Sequence, residues 1–392
     1  MPTTAIYASR ILTPQDEIND GVILVEEGRI SAIGHRDEVR VPDGSLDYVA
    51  TAGSTVVPGF VDIHIHGAGG HDVMEGTSEA LDCVTSTVAR YGTTSMLATT
   101  VTAPIEETCQ SLQGIARYIR NQQQPQETPR LAAEILGMHL EGPFISKKQP
   151  GVHPLDSITK PSVEILEQFF KAADGLVRIL TLAPEVAGAA EMIRAAVASG
   201  VVAAMGHTDA NYEQAQAAVQ AGVRHAVHTF NAMRPFTHRD PGVLAAIMTD
   251  VDVTAEIIAD GVHVAGPAIQ VLLGCKGFDT VLLISDGVAA TGMPDGTYRL
   301  GTTEAIVENG VARNSQGKLA GSTLTLDRAL RNMVALGVPM LDALRMATVL
   351  PARRLGLAGK KGILAIGADA DIVVLTSELR VEGVMIRGVG LI

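Results

Sequence analysis

The 392-residue sequence contains no tryptophan, and aromatic residues make up only 3% of it, so aliphatic side chains and alanine must fill the core. Its three cysteines, Cys83, Cys109 and Cys275, are scattered and odd in number. That excludes a disulfide framework and fits a reducing compartment. Positive charge is the minority: the net charge is −13, with no Lys/Arg cluster interleaved with aromatics, which argues against a nucleic-acid surface. An anionic ligand would need its own local cationic pocket. Apolar runs such as Thr280–Ile284 are too short to cross a membrane. The first residues lack a basic stretch followed by a long apolar one, so no secretory signal is expected and the chain reads as soluble and cytoplasmic. Neither G-x-G-x-x-G nor G-x-x-x-x-G-K-[ST] occurs.

Hydrophobic residues reach 46%, enough for a well-filled core, and the length allows one large domain plus a smaller one. Short strands are expected at Ile6–Ala8, Gly21–Val25 and Arg29–Ile33, with turns at Asn19-Asp20-Gly21 and Glu26-Glu27-Gly28. The same texture returns at Gly362–Leu364, Asp371–Leu375 and Val381–Ile386. Between the two ends, eight strand-like runs alternate with helical ones such as Glu191–Ser199 and Tyr212–Ala221. The runs are Val57–His66, Thr94–Thr100, Glu134–Glu141, Arg178–Ala183, Val201–His207, His225–Asn231, Val253–Asp260 and Val281–Asp286. Eight strand–helix units predict an α/β fold with a closed (β/α)8 barrel over 57–358. The β-texture at both ends predicts a small β-sandwich domain from 1–56 plus 359–392. Residues 122–127 read as a polar loop.

In Val61-Asp62-Ile63-His64-Ile65-His66-Gly67, strand alternation points both histidines to one face. Such a pair alone is weak evidence of metal. Later strands, however, also end in metal-competent residues: His139-Leu-Glu141, Gly206-His207, His228 to Asn231 and Ser285-Asp286. Carboxyl ends of barrel strands are where active sites form. Four imidazoles and two carboxylates converging there suit Zn²⁺, Fe²⁺ or Mn²⁺.

These residues carry a resemblance. Pro58 to Gly67 resembles the opening motif of the amidohydrolase superfamily. His139-Leu-Glu141-Gly-Pro-Phe, Gly206-His207-Thr-Asp-Ala-Asn211, His228-Thr-Phe-Asn231, Ala259-Asp-Gly-Val-His263 and Leu319-Ala-Gly-Ser322 look more narrowly like the N-acetylglucosamine-6-phosphate deacetylase family within it, and Gly367-Ala-Asp369-Ala-Asp371 extends the superfamily likeness. The resemblance implies hydrolysis of an N-acetyl amino-sugar phosphate. Glu141, His207 and His228 would hold one divalent metal, zinc or iron with manganese as an alternative. His64 and His66, with Glu141 bridging and Asp286 nearby, would hold a second. No lysine ends strand four, so Glu141 takes the bridging position that a carbamylated lysine fills in other amidohydrolases. Asp286 would be the general base and acid, and His153 would polarise the carbonyl. Asn231, Ala232, Arg239, His263, Leu319, Ala320 and Gly321 would contact sugar and phosphate. The arginine would reach in from a neighbouring subunit, implying a homodimer. Lys147 and Lys148 are further phosphate candidates, although a solvated pair explains them equally well.

Other polar residues read as structural. His139 is expected one layer deeper in the barrel, and Asp62 to brace its floor. Opposite parity to His228 predicts that His225 faces the helices, and His35, His71 and His238 are expected in solvent. Asp209 and Asn211 could cap a helix or, equally, brace His207. The competing functions are an N-acetylgalactosamine-6-phosphate deacetylase, an N-acyl-amino-acid deacylase and a non-catalytic scaffold. The scaffold reading is poor because all six metal-competent residues are present.

Overall fold

The computed structural model describes residues 3–124 and 130–391. Its centre is a parallel sheet of eight strands in sequential order. They are β1 (Phe60–Ile65), β2 (Thr93–Thr100), β3 (Glu134–Glu141), β4 (Val177–Leu182), β5 (Val202–Met205), β6 (His225–Ala226), β7 (Thr254–Ile257) and β8 (Val281–Leu283). A parallel bridge between Ile65 and Gly287 closes the sheet into a barrel, and the Asp286 amide donates to the His64 carbonyl at 2.9 Å across the same seam. Every residue of β1 and β2 is buried, because helices cover the barrel outside and side chains fill it inside. One α-helix follows each of β1 to β7, the first being Ser78–Ala89, and three follow β8, Leu326–Ala335, Met340–Ala347 and Val349–Arg354. Among the described residues, no helix is long and apolar enough to cross a membrane.

The strands β2, β3 and β4 match the expected runs to within one residue, whereas β1 and β5 to β8 are shorter. The run 57–66 is two strands: Thr55–Pro58 lies in the terminal sheet, past the boundary expected at residue 56, and β1 begins at Phe60. The four strands from β5 to β8 stop before His207, His228, Asp260 and Asp286, which lie on the loops just beyond. The polar loop at 122–127 falls partly outside the described residues, and Gln122 itself ends the helix Ile105–Gln122.

Both chain ends build one eight-stranded sheet. Thr55–Pro58 joins them, running parallel to Thr4–Leu12 on one side and antiparallel to Ile372–Leu375 on the other. The sheet curls on itself, with the Ile30 amide donating to Ala368 O and the Ala370 amide to Gly28 O. It thereby encloses Ile6, Ile11, Ile23, Val56, Ile372 and Val374, so the two layers of the small domain come from a single curved sheet. Glu27 and Gly28 turn the hairpin before Arg29, both at positive φ as a tight turn requires. Asn19-Asp20-Gly21 is no turn: it lies inside the strand Glu17–Glu26, and the preceding turn is Thr13–Asp16. Gly362–Leu364 is not a strand, although Leu364 is buried in the core. Lys361 bolts this domain to the barrel floor, reaching Glu134 at 2.6 Å, Asp371 at 2.8 Å and Asp369 at 3.0 Å.

A three-stranded antiparallel sheet, Gly296–Leu300, Thr303–Glu308 and Val311–Arg313, follows β8. The sequence reading missed it, although Asn309-Gly310 is a hairpin signal and both residues adopt positive φ. Its Leu300, Val307 and Ala312 pack on Val101, Val288 and Ala320 beside the carboxyl end of the barrel.

Candidate active site at the carboxyl ends of the barrel strands

Glu141, the last residue of β3, is the hub. Its Oε1 lies 2.9 Å from His228 Nε2 and 3.2 Å from the Nε2 atoms of both His64 and His207. Its Oε2 lies 3.3 Å from His153 Nε2 and 3.4 Å from His66 Nε2. Asp286 Oδ1 stands 3.1 Å from His66 Nε2 and 3.8 Å from His64 Nε2. The alternation of β1 does place His64 and His66 on the interior face. His207, His228 and Asp286 arrive differently, with φ of 46°, 28° and 50°, a left-handed conformation uncommon outside glycine. Each departs from the ladder as its strand ends, and the surroundings pin the turn. The Ser146 amide donates to His207 O, the His228 amide donates to Glu256, and Ser322 N donates to Asp286 O.

Close packing demands glycine at Gly142, where a Cβ would sit 2.0 Å from Thr102 Oγ1. At Gly151 a Cβ would meet the His207 ring at 3.0 Å. Both have positive φ.

Burial pushes the Glu141 carboxyl up, but the imidazoles that face it, His64 and His207 first and then His153, outweigh it and hold it well below the usual range. Burial likewise opposes ionisation of Asp286, and its bond to His66 with the charges of His64, His66 and His228 brings the net shift down. Burial lowers His64, yet Glu256 and Glu141 raise it well above the ordinary imidazole value. Burial lowers His207 to about 4, so that ring is neutral at physiological pH.

The donor set fits a metal. His66 Nδ1 donates to Thr99 O at 3.0 Å and His207 Nδ1 to Gln149 O at 3.1 Å, leaving each Nε2 lone pair directed inward. His207 Nε2 and His228 Nε2 are 3.0 Å apart beside a carboxylate oxygen, and buried His64 Nε2 has no hydrogen-bond partner among the described residues. Converging imidazole nitrogens with shared carboxylates are ligands of a divalent cation. His64, Glu141 and His228 form one such group, and His64, His66 and Asp286 another.

The pocket above this hub, about 630 Å³ with its mouth, is lined by His66, Glu141, His153, His207, His228 and Asp286 together with Asn231, Ala232, His263, Leu319 and Gly321. His64 lies beneath it, fully buried. Ala320 is buried behind the wall and Arg239 is exposed on the loop after β6, so neither lines the pocket. Asp260 holds His263 by its Nδ1 at 2.7 Å. Lys148 pairs with Asp209 at 3.0 Å and Lys147 is exposed.

His139 is saturated by Ile63 O and Thr181 Oγ1, and burial lowers it to about 3. Asp62 accepts from the amides of His64 and Ser285, tying β1 to β8, and burial raises its carboxyl to about 6. Asn211 caps the helix Tyr212–Ala221. His71 is partly buried against Glu75 rather than free in solvent. The inference for His225 fails: β6 ends at Ala226, so parity does not carry to His228, and His225 points inward to Glu256 at 2.8 Å. Glu256 and Glu185 escaped the sequence reading. Glu185 fixes the turn after His207 through Thr208 Oγ1 and the Asp209 amide. A glutamate inside the apolar run 253–259 is a signal for the first, since buried charge needs partners. No pattern marks the second.

A family model described as "Amidohydrolase family" matches residues 55–390. The chain is 38% identical over 387 residues to the N-acetylglucosamine-6-phosphate deacetylase of Vibrio furnissii, covering 97% of this chain and 93% of that one. It is 37% identical to the N-acetylgalactosamine-6-phosphate deacetylase of Escherichia coli O157:H7, covering 98% of each. A mutant N-acetyl-D-glucosamine-6-phosphate deacetylase from Mycobacterium smegmatis, solved in complex with N-acetyl-D-glucosamine-6-phosphate, superposes with a TM-score of 0.91 at 37% identity, covering 100% of both chains. With a match running from the join of the two domains nearly to the last residue, this chain belongs to the amidohydrolase family.

Proposed function

We propose that this protein hydrolyses the acetamide of N-acetyl-D-glucosamine 6-phosphate to D-glucosamine 6-phosphate and acetate, in amino-sugar catabolism or recycling. In this reading Glu141, His207 and His228 hold one divalent metal, and His64, His66 and Asp286, with Glu141 shared, hold a second. Zinc or iron suits the mixed imidazole and carboxylate set, with manganese as the alternative. A metal so held lowers the pKa of a coordinated water towards neutrality and polarises a carbonyl.

The chain's own groups do the rest. Asp286 removes the proton of the attacking water as the oxygen–carbon bond forms, then delivers it to the amine as the carbon–nitrogen bond breaks. His153 Nδ1 accepts from the Thr102 amide at 3.2 Å, which puts the ring proton on Nε2, facing the pocket, where it can donate to the carbonyl oxygen. His263, Asn231, Ala232, Leu319 and Gly321 contact the sugar phosphate, with Ala320 behind them as support and Arg239 supplied by the partner of a homodimer. The enzyme works in the cytoplasm, as a barrel that begins at β1 and carries a small domain built from both chain ends, Thr55–Pro58 included.

The observation that carries this reading is the placement of Asp286 and His153 in one pocket around Glu141, with His263 and Asn231 in the same wall. Acetate release should be measured from N-acetylglucosamine 6-phosphate, its galacto epimer, unphosphorylated N-acetylglucosamine and an N-acyl amino acid. A higher kcat/KM for the N-acyl amino acid would refute the proposal. The galacto epimer is the second reading, favoured by the near-equal identity to the E. coli relative.

A further inference from the structure

Glu256 has no part in the chemistry above, yet it is a carboxylate with no exposure at all, midway along β7 beneath the hub. Leaving such a charge unpaired would be costly, and here every contact is a donor. Oε2 accepts from His64 Nδ1 at 2.8 Å and from the His228 amide at 3.1 Å, and Oε1 faces His225 Nε2 at 2.8 Å. Burial keeps His225 neutral, so its single ring proton sits on Nε2, towards Glu256. Its Nδ1 then faces Thr254 Oγ1 at 2.7 Å, a hydroxyl that Arg224 O also contacts at 3.2 Å. Thr254, His225 and Glu256 thus form a chain ending at His64.

We infer that Glu256 is a positioning residue, held by His225 and Thr254, which fixes the proton of His64 on Nδ1 and so makes His64 Nε2 a metal ligand. This rests on the two-metal reading given above. An ionised carboxylate only accepts hydrogen bonds, so His64 must present N–H to it through Nδ1. In the neutral ring that ligates a metal the opposite nitrogen is then a lone pair; it is one of two site ring nitrogens, with His228 Nδ1, that have no partner among the described residues, and it lies 3.2 Å from Glu141 Oε1 and 3.8 Å from Asp286 Oδ1. An acceptor behind a ligating histidine sets its tautomer and ring orientation, and its removal weakens metal affinity by about 10–100-fold. The link to the other position is only through the His228 backbone, so the effect falls on the metal held by His64 and His66.

The test uses the zinc-loaded, full-length protein with ¹⁵N-labelled histidine, titrated against a competing chelator. In the wild type, two-bond ¹⁵N correlations should show the His64 proton on Nδ1. Glu256→Met removes the acceptor at similar volume and should weaken one of two zinc equivalents about 10–100-fold. Glu256→Gln should rescue binding, because its amide oxygen still accepts from His64 while its amide nitrogen turns to His225, whose proton can move to Nδ1. A His64 proton on Nε2 in the wild type would overturn the inference without any variant having to fold. Unchanged affinity for both equivalents in Glu256→Met, or equal losses in the Met and Gln variants, would overturn it too. If the wild type takes up a single equivalent, the two-metal reading fails on that count. The His64 proton, compared between wild type and Glu256→Met, then still decides the role of Glu256.

Discussion

His153 Nδ1 lies 2.7 Å from Thr102 Oγ1 and accepts the Thr102 amide hydrogen, so its outward nitrogen, 3.3 Å from Glu141 Oε2, is the donor. A donor fixed before the reaction acts where negative charge grows on the carbonyl oxygen. His153→Phe should therefore lower kcat by about 10²–10³-fold, the usual cost of one such donor, with metal content unchanged. Steady-state kinetics alongside elemental analysis check this; a loss of metal equal to the loss of rate would make His153 a ligand instead.

Glu141 touches all five imidazoles of the hub, so Glu141→Gln should abolish both bound metal and activity. His64→Asn should be milder if one metal suffices for the chemistry. Stoichiometric metal in Glu141→Gln, measured by elemental analysis, would show that the shared-ligand assignment is wrong.

Asp286→Asn keeps the shape of the side chain but removes its basicity. Metal and substrate binding should persist while kcat falls by about 10²–10⁴-fold, the contribution of a positioned acid and base. Unchanged kcat, or metal lost together with kcat, would show that Asp286 is not mainly the proton carrier.

What could be read from the sequence follows strand geometry. Alternation placed His64 because it lies within β1, His66 because its amide still bonds to Gly287 O one residue past the strand, and Glu141 because it is the last ladder residue of β3. The same rule misplaced His225, since β6 is only His225–Ala226 and His228 lies beyond it at positive φ. Parity is a property of the ladder and ends with it. Glu256 sits within β7 rather than at or beyond its carboxyl end, where the other metal-competent residues cluster. The sheet at 296–313 was hidden by exposure: Thr303–Glu308 alternates buried and exposed residues too briefly to stand out beside fully buried barrel strands. Lys361 is 3% exposed, and only the fold shows that Glu134, far away in the sequence, joins the nearby Asp369 and Asp371 around it.

Lys361→Met would remove the buried cation shared by Glu134, Asp369 and Asp371, leaving only the exposed guanidiniums of Arg29, 3.6 Å from Asp369, and Arg387, 3.8 Å from Glu134. Removing one partner of a buried ion pair costs about 3–5 kcal/mol, and that loss is expected at pH 7. Burial opposes the Lys361 charge, but Asp371, Glu134 and Asp369 raise its pKa above 10.5. For a raised lysine, the stabilisation is complete below the unfolded value of 10.5 and disappears as pH climbs through the folded one. Urea unfolding from pH 7 to 11 should show that alkaline decline in the wild type and not in Lys361→Met. A variant as stable as wild type at pH 7 would dismiss the bolt.

Arg239 stands exposed outside the pocket of its own chain, while His263, gripped by Asp260, lines that pocket. In a chain of net charge −13, recognition of a 6-phosphate would call for further positive charge, which a charge-assisted bond from the arginine of a partner subunit would supply. Such binding energy, remote from the scissile bond, also positions the acetamide, so removing the phosphate should lower kcat as well as raise KM. Arg239→Ala should show both effects with the phosphorylated substrate and little change with the unphosphorylated one. If the arginine crosses a two-fold interface, a heterodimer of Arg239→Ala with Glu141→Gln rebuilds one complete site, containing the metal ligands of the first chain and the arginine of the second. Equal mixing then gives heterodimers in half of the dimers, each with one working site, so activity should recover to about a quarter of wild type. No recovery on mixing, or a fully active monomer, would rule out the shared site.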